Sequence, residues 1–332
     1  MTREHMDLTP ICQRYKARVI RIIPQEDYYL VETNRGPKEL RVWPRVDVMR
    51  WSYAWREQMA RQGFRNVERF IRTRDAKPYV VSGKKGYTMT DHLRKVGPYT
   101  PGMEHAHYAG QMIAKMHQAQ SSQSFPVASD LLKREQSLAV EEAKRARHVF
   151  EHISETPLKG EQRHFIASMF PPLLERMERS AELISTTLIP EEYLAVSHRE
   201  MGRENWGLVE DQLFLRGFYR PTLSIQHRDT ATLLRQIYMD TQNLSSVDAF
   251  LDGYEENKPL SYDEYRLLLA FMAYPQEVWR QIENIVHPIT LTGEAQDESA
   301  LVQVEQAIRR QQLIDELLQH IAQRAERGRR LS

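Results

Sequence analysis

The sequence predicts an α+β protein in two lobes, a small antiparallel sheet lobe and a larger, mainly helical one. Three observations carry that expectation. Short runs of β-branched and aromatic residues alternate with polar ones through the first ninety residues, a cluster of chain breakers spans Gly97-Pro98-Tyr99-Thr100-Pro101-Gly102, and beyond it apolar residues recur at helical spacing. Residues 1–94 are read as the sheet lobe with one helix, 95–102 as a connector, and 103–332 as the helical lobe, which includes a distinctive segment at 197–218. The chain has 332 residues, enough for two packed units at about 150 residues each.

The first lobe reads as a meander. Ala17–Ile23 is β-branched, Asp27–Thr33 contains Tyr28-Tyr29-Leu30-Val31, and Glu39–Trp43 follows a turn at Asn34-Arg35-Gly36. Asp47–Gln62 then has helical spacing, with Gly63 as its stop. Three further strands are predicted at Val67–Thr73, Pro78–Val81 and Tyr87–Thr90. Beyond the connector, helices are predicted at Glu104–Gln120, Leu131–Ile153, Gln162–Ile184, His227–Asp240, Val247–Glu256, Ser261–Ala273, Pro275–Val286 and Ala300–Arg327, with a brief strand pair over Trp206–Leu215. Arg324, Arg327, Arg329 and Arg330 gather at the end of the last helix and read as a solvated helix terminus, their charge suiting the negative end of the dipole.

Composition narrows the function. Lys plus Arg total 46 against 45 Asp plus Glu, a formal net charge of +1, so bulk charge gives no nucleic-acid partner and no membrane surface. No apolar run approaches the roughly 18 to 20 residues of a membrane helix, so no transmembrane segment is expected, and the N-terminal residues lack a signal-peptide pattern, which predicts cytoplasmic synthesis. Cys12 is the single cysteine, which excludes an internal disulfide framework. Glycine-rich dinucleotide and phosphate-loop fingerprints are absent from the sequence.

The most informative stretch is Ser197-His198-Arg199-Glu200-Met201-Gly202-Arg203-Glu204-Asn205, ahead of the strand pair. Its His-x-acid-x4-Asn spacing is that of a kinase catalytic loop, in which the acid orients or accepts the substrate hydroxyl proton and the Asn holds magnesium. His198 and Glu200 are therefore the catalytic-position candidates, and Asn205 the candidate metal ligand.

With those residues in view, the chain resembles the spore coat protein CotS family, within the protein-kinase-like fold of aminoglycoside phosphotransferases and choline kinases. The resemblance is carried by Leu30-Val31-Glu32-Thr33-Asn34-Arg35-Gly36, Leu40-Arg41, Gln62-Gly63-Phe64-Arg65-Asn66-Val67, Thr73-Arg74-Asp75 with Pro78-Tyr79-Val80, and Ala114-Lys115-Met116-His117. His198–Asn205 and Asp229 ahead of Leu233-Leu234-Arg235 extend it through the second lobe.

Three departures follow from it. The resemblance implies a phosphate-holding Lys on the third strand, where this chain has Arg41, with Glu57 as the implied helix partner; Arg is planar and bulkier than an ammonium. Glu200 stands for the implied Asp, one methylene too long for a step that depends on positioning. Arg216 stands near the implied metal-binding Asp, in Phe214-Leu215-Arg216-Gly217-Phe218. Removing a carboxylate and adding a cation disfavours Mg2+.

The expectation is a catalytically degenerate kinase-like protein without a cofactor, made in the mother cell of a sporulating bacterium and working in the spore coat by contact with other coat proteins. The competing expectation is an active phosphotransferase on a small molecule or sugar hydroxyl, using ATP, Mg2+ and Glu200 as base. His117 is expected to cap or pack, and Asp229 to cap a helix starting near Thr230.

Overall fold

The computed structural model describes residues 7–92, 103–121, 128–152, 160–187, 189–190, 193–197, 205–209, 212–217, 222–292 and 298–331. Two compact units divide the chain: Met1–Tyr99 with His198–Pro221, and Thr100–Ser197 with Thr222–Ser332. The 198–221 stretch, expected with the helices, thus groups with the sheet. The connector expected at 95–102 lies outside the described residues.

The sheet unit begins with a single turn, α1 (Thr9–Cys12), then β1 (Val19–Pro24), β2 (Tyr29–Thr33), β3 (Lys38–Trp43), α2 (Val46–Arg61), β4 (Val80–Ser82) and β5 (Lys85–Asp91). The strands form one antiparallel sheet in the order β1-β2-β3-β5-β4. Gly36 makes the β2–β3 turn possible at φ 82°, with its N–H donating to Thr33 O. Alternation sends Leu40, Val31, Met89 and Tyr87 to one face, where they pack with Ile11, Cys12 and Tyr15. Burial raises the Cys12 thiol to about 11, so it behaves as a packed apolar group. On the other face, Trp43 meets Met49 of α2 and Phe70.

The strand predicted at Val67–Thr73 does not form. Its backbone is shared among three partners: Val67 bridges Leu215, Ile71 N–H donates to Met89 O, and Thr73 N–H donates to Lys77 O. α2 is tied to this segment by the buried Arg56, whose guanidinium reaches the Glu68 carboxylate at 3.1 Å and its carbonyl at 2.9 Å.

The helical unit contains α3 (Met103–Ser121), α4 (Ala128–Glu151), α5 (Gly160–Met169), α6 (Pro171–Thr186) and the short β6 (Leu194–Ser197). After β7 (Trp206–Val209) and β8 (Gln212–Leu215) of the sheet unit, it resumes with β9 (Thr222–Ile225), α7 (His227–Thr241), α8 (Leu244–Glu255), α9 (Tyr262–Ala273), α10 (Gln276–Thr292), α11 (Glu298–Leu313) and α12 (Asp315–Leu331). The helix expected over Gln162–Ile184 is broken in two, with Pro171 opening α6, and the one expected over Ala300–Arg327 is divided at Ile314.

α3 and α8 approach at two glycines: a Cβ on Gly110 would lie 2.0 Å from Phe250 O, and one on Gly253 would lie 2.1 Å from His107 O. Ser261 and Glu264 form a reciprocal capping box that starts α9. At the end of α12, Arg327 and Arg329 are exposed as expected, but Arg324 departs from the expectation. Arg324 reaches Glu255, Asp252 and Asp248 of α8 at 2.5, 2.7 and 3.2 Å, and its Nε donates to Tyr265 of α9, so it anchors the helix instead of ending it in solvent.

Asp229 does not cap either. α7 begins at His227, and Asp229 sits buried inside the first turn. His117 is fully buried in α3 with Nδ1 2.9 Å from the Tyr254 hydroxyl, and His227 is buried with Nε2 3.2 Å from Glu264. Burial pushes both imidazoles below their ordinary value; Lys258 adds to the shift at both, His227 adds to that of His117, and Glu264 partly opposes it at His227. Above pH 6.5 both are neutral in either state and the stability they permit is present in full. As pH falls below 6.5 the unfolded chain takes up protons that the folded chain resists, and that stability is lost. Thermal unfolding followed from about pH 7 to about pH 5 should show a falling midpoint, with up to about 1.4 kcal/mol lost per pH unit for each histidine, and His117→Gln should flatten the slope.

Candidate functional site

The β7–β8 hairpin is what brings the site together within the sheet unit. Its pairing runs from Trp206↔Leu215 to Val209↔Gln212. Trp206 and Leu215 are buried, Leu215 N–H donates to Asn66 O at 3.1 Å, and the Asn66 amide donates to Leu213 O at 2.9 Å. With the hairpin so fixed, Arg216 leaves the end of β8 at a defined place. Its N–H donates to Asn205 O at 2.8 Å, and Gly217 follows at φ 89°. A Cβ on Gly217 would sit 2.4 Å from Asn205 Oδ1, so the Asn205 side chain lies across a residue that must be glycine on two grounds.

Arg216 turns to β3. Its Nη2 lies 3.3 Å from Oε1 of Glu39, a carboxylate with only 2% of its surface exposed. His92, just past β5, brings Nδ1 within 2.9 Å of the same oxygen. Glu39 Oε2 has no hydrogen-bond partner among the described residues. Tyr28 completes the cluster. Its ring stands 6.3 Å from that of His92 and 5.8 Å from the Arg41 guanidinium, and its phenol is raised by burial and by Glu39 against the opposing pull of Arg216 and Arg41.

Of the residues singled out in the sequence, Asn205 and Arg216 come together here, and Arg41 lies nearby on the same strand face as Glu39. Glu57 does not join them. It accepts from Arg69 at 2.6 Å, while Arg41 donates to Asp27 O at 3.3 Å, so the expected Arg41–Glu57 tie is replaced by separate contacts. The reason is local, since Glu57 faces the segment after α2 instead of β3. His198 and Glu200 lie outside the described residues.

Glu39 is the residue the sequence reading missed. A signal existed: Glu39, Arg41 and Trp43 share one face by two-residue alternation, and Trp43 is a core residue there. A carboxylate on a face that buries a tryptophan requires a cationic partner.

A family model described as Spore coat putative kinase YutH matches residues 11–321. No curated protein matches the chain. Among solved structures, an aminoglycoside phosphotransferase from Alicyclobacillus acidocaldarius subsp. acidocaldarius DSM 446 is similar with a TM-score of 0.81 at 17% identity, over 98% of this chain and 99% of that one. A spectinomycin phosphotransferase in complex with ADP and spectinomycin gives 0.62 at 12% identity, over 96% of each chain. A choline/ethanolamine kinase family protein from Mesorhizobium loti gives 0.55 at 13%, over 93% of this chain and 92% of that one. At such identities the likeness establishes the fold, and it is the kinase-like α+β fold expected from the sequence.

The Glu39–Arg216 pair is testable by itself. Arg216→Ala leaves a buried carboxylate with His92 alone and should lower stability to urea by about 3 kcal/mol, part of which Glu39→Gln in the same chain restores. A loss below about 0.5 kcal/mol would show the pair to behave like an exposed one.

Proposed function

The chain belongs to the spore coat putative kinase YutH family, and from that membership we propose that it is a catalytically degenerate kinase-fold protein that serves the bacterial spore coat through contacts with other coat proteins. One observation carries the loss of catalysis: the guanidinium of Arg216, at the end of β8, is paired with buried Glu39.

The physical case is one of ligand chemistry. Magnesium takes hard oxygen ligands in near-octahedral array. At the end of β8 the chain offers a group with no lone pair to give and a positive charge to repel the ion. Glu39 supplies a carboxylate, but Arg216 and His92 both engage its Oε1. Of the implied magnesium ligands, Asn205 keeps the residue type that the catalytic-loop spacing calls for. These residues do not fit a magnesium–nucleotide site.

Membership of this family supports work in the spore coat, and among the described residues no helix is long and apolar enough to cross a membrane. With metal-dependent chemistry lost, surface recognition is the remaining means by which such a fold acts there.

Thermal unfolding with and without Mg-ATP separates this reading from an active enzyme. A nucleotide at about 100 times its dissociation constant would add about 2.7 kcal/mol to the stability, whereas the proposed protein should show an unchanged midpoint. A magnesium-dependent rise that Asn205→Ala abolishes would overturn the reading.

A further inference from the structure

The near-zero charge of the whole chain hides a division. Residues 1–99 hold 21 Lys and Arg against 11 Asp and Glu, a net of +10, while residues 100–332 hold 25 against 34, a net of −9. The returning stretch 198–221 holds four of each sign and leaves both sums unchanged for the two units. A basic sheet unit and an acidic helical unit are therefore carried on one chain.

Within the sheet unit the excess charge is gathered by backbone bonds that join three segments. Arg74 N–H donates to Arg14 O at 2.8 Å, and its guanidinium donates to Tyr15 O at 3.0 Å. Tyr15 bridges Thr73, and Arg18 N–H donates to the Asn34 side chain at 2.8 Å, with Asn34 N–H returning to Arg18 O at 3.1 Å. The stretches 14–18, 34–35 and 73–77 thus lie side by side. They present Arg14, Lys16, Arg18, Arg35, Arg74 and Lys77, all exposed. One carboxylate stands among them: Asp75, 3.4 Å from Arg14 and 3.3 Å from Lys77, held down near pH 2 chiefly by the Thr73 hydroxyl.

We propose that this basic patch docks the acidic helical unit of a second copy of the chain, so that copies associate head to tail. Two considerations select that occupant. A second copy offers the complementary charge, a −9 unit, and is present wherever the patch is. The total of +1 also removes the long-range repulsion that keeps strongly charged proteins apart. Contact between unlike surfaces is heterologous, and it continues into rings or open arrays instead of stopping at a dimer. The inference is independent of the emptied metal site: nucleotide titration reads one and solution mass the other.

The test is sedimentation velocity on the full chain across protein concentration, at about 0.05 M and about 0.5 M NaCl. At low salt the mass should rise above the 39.1 kDa of one chain as concentration rises, and at high salt it should return to that value. Arg14→Glu/Lys16→Glu/Arg18→Glu should remain monomeric at low salt, as should the milder Arg35→Glu/Lys77→Glu, each checked for an unchanged thermal midpoint. Lys133→Glu/Arg134→Glu/Lys144→Glu changes net charge as much as the first variant, but at exposed positions of the helical unit, and should still associate. The proposal fails if the unaltered chain is monomeric at low salt, if its association survives high salt, if the Lys133 variant dissociates equally, or if mass rises only when heparin is added.

Discussion

A carboxylate buried on β3 must have a cation, and much of the sheet unit's arrangement around the candidate site answers that requirement. Glu39 is almost wholly removed from water, and an ionised group so placed costs several kcal/mol unless it is paired and hydrogen-bonded. Arg216 and His92 provide the partners, from distant points in the sequence. For Arg216 to arrive, β8 must end where it does, so Leu215 is buried and bonded to Asn66. For the chain to turn away again, residue 217 must be glycine. The pairing of this buried charge thus depends on a hairpin and on a glycine turn that lies against the Asn205 side chain. Resemblance to phosphotransferases implies a carboxylate at the end of β8; here a cation stands there, paired with a carboxylate two residues before Arg41 on β3.

The helical unit is held by different means, which is why it keeps its form without reference to that chemistry. α3 and α8 meet through Gly110 and Gly253 at distances no side chain permits. α12 is fastened through Arg324 to three carboxylates of α8. Two buried histidines tie helices together by side-chain bonds, His117 to Tyr254 and His227 to Glu264, and Glu264 also completes the cap of α9. None of these contacts needs a nucleotide or a metal. A kinase-like architecture at 17% identity to a phosphotransferase is therefore compatible with either fate for the active residues.

How much of this was legible depended on whether local pattern or distant contact decides. Strands β1, β2, β3 and β5 and helix α2 follow from alternation, helical spacing and the glycine turn, and the sequence places each within a few residues. The stretch at Val67–Thr73 has the composition of a strand, yet its backbone bonds go to Leu215, Met89 and Lys77, which no window of sequence reveals. β6 and β9 pair with each other across about thirty residues and are four residues long, too short to show a period. Arg216 is legible as a departure because the family resemblance implies a carboxylate at the end of the strand after Trp206, while its partner Glu39 shows only in the alternation that puts it on the face of Trp43. Glu57 misled for a related reason: helix position is local, but Arg69 is brought to it by the chain that follows.

These electrostatics share one logic. A phosphate- or metal-binding site keeps charge that only its ligand neutralises, and the resulting strain in the free protein is part of how such sites bind. In this chain the corresponding charge is neutralised from within, since Arg216 and His92 stand against Glu39 before any ligand arrives. That pairing contributes to the fold. What remains uncompensated lies on the outside, six cations against one carboxylate at the surface of a unit whose net charge is +10. On the proposed reading, a protein so constituted acts by meeting another charged macromolecular surface and not on a small polar substrate.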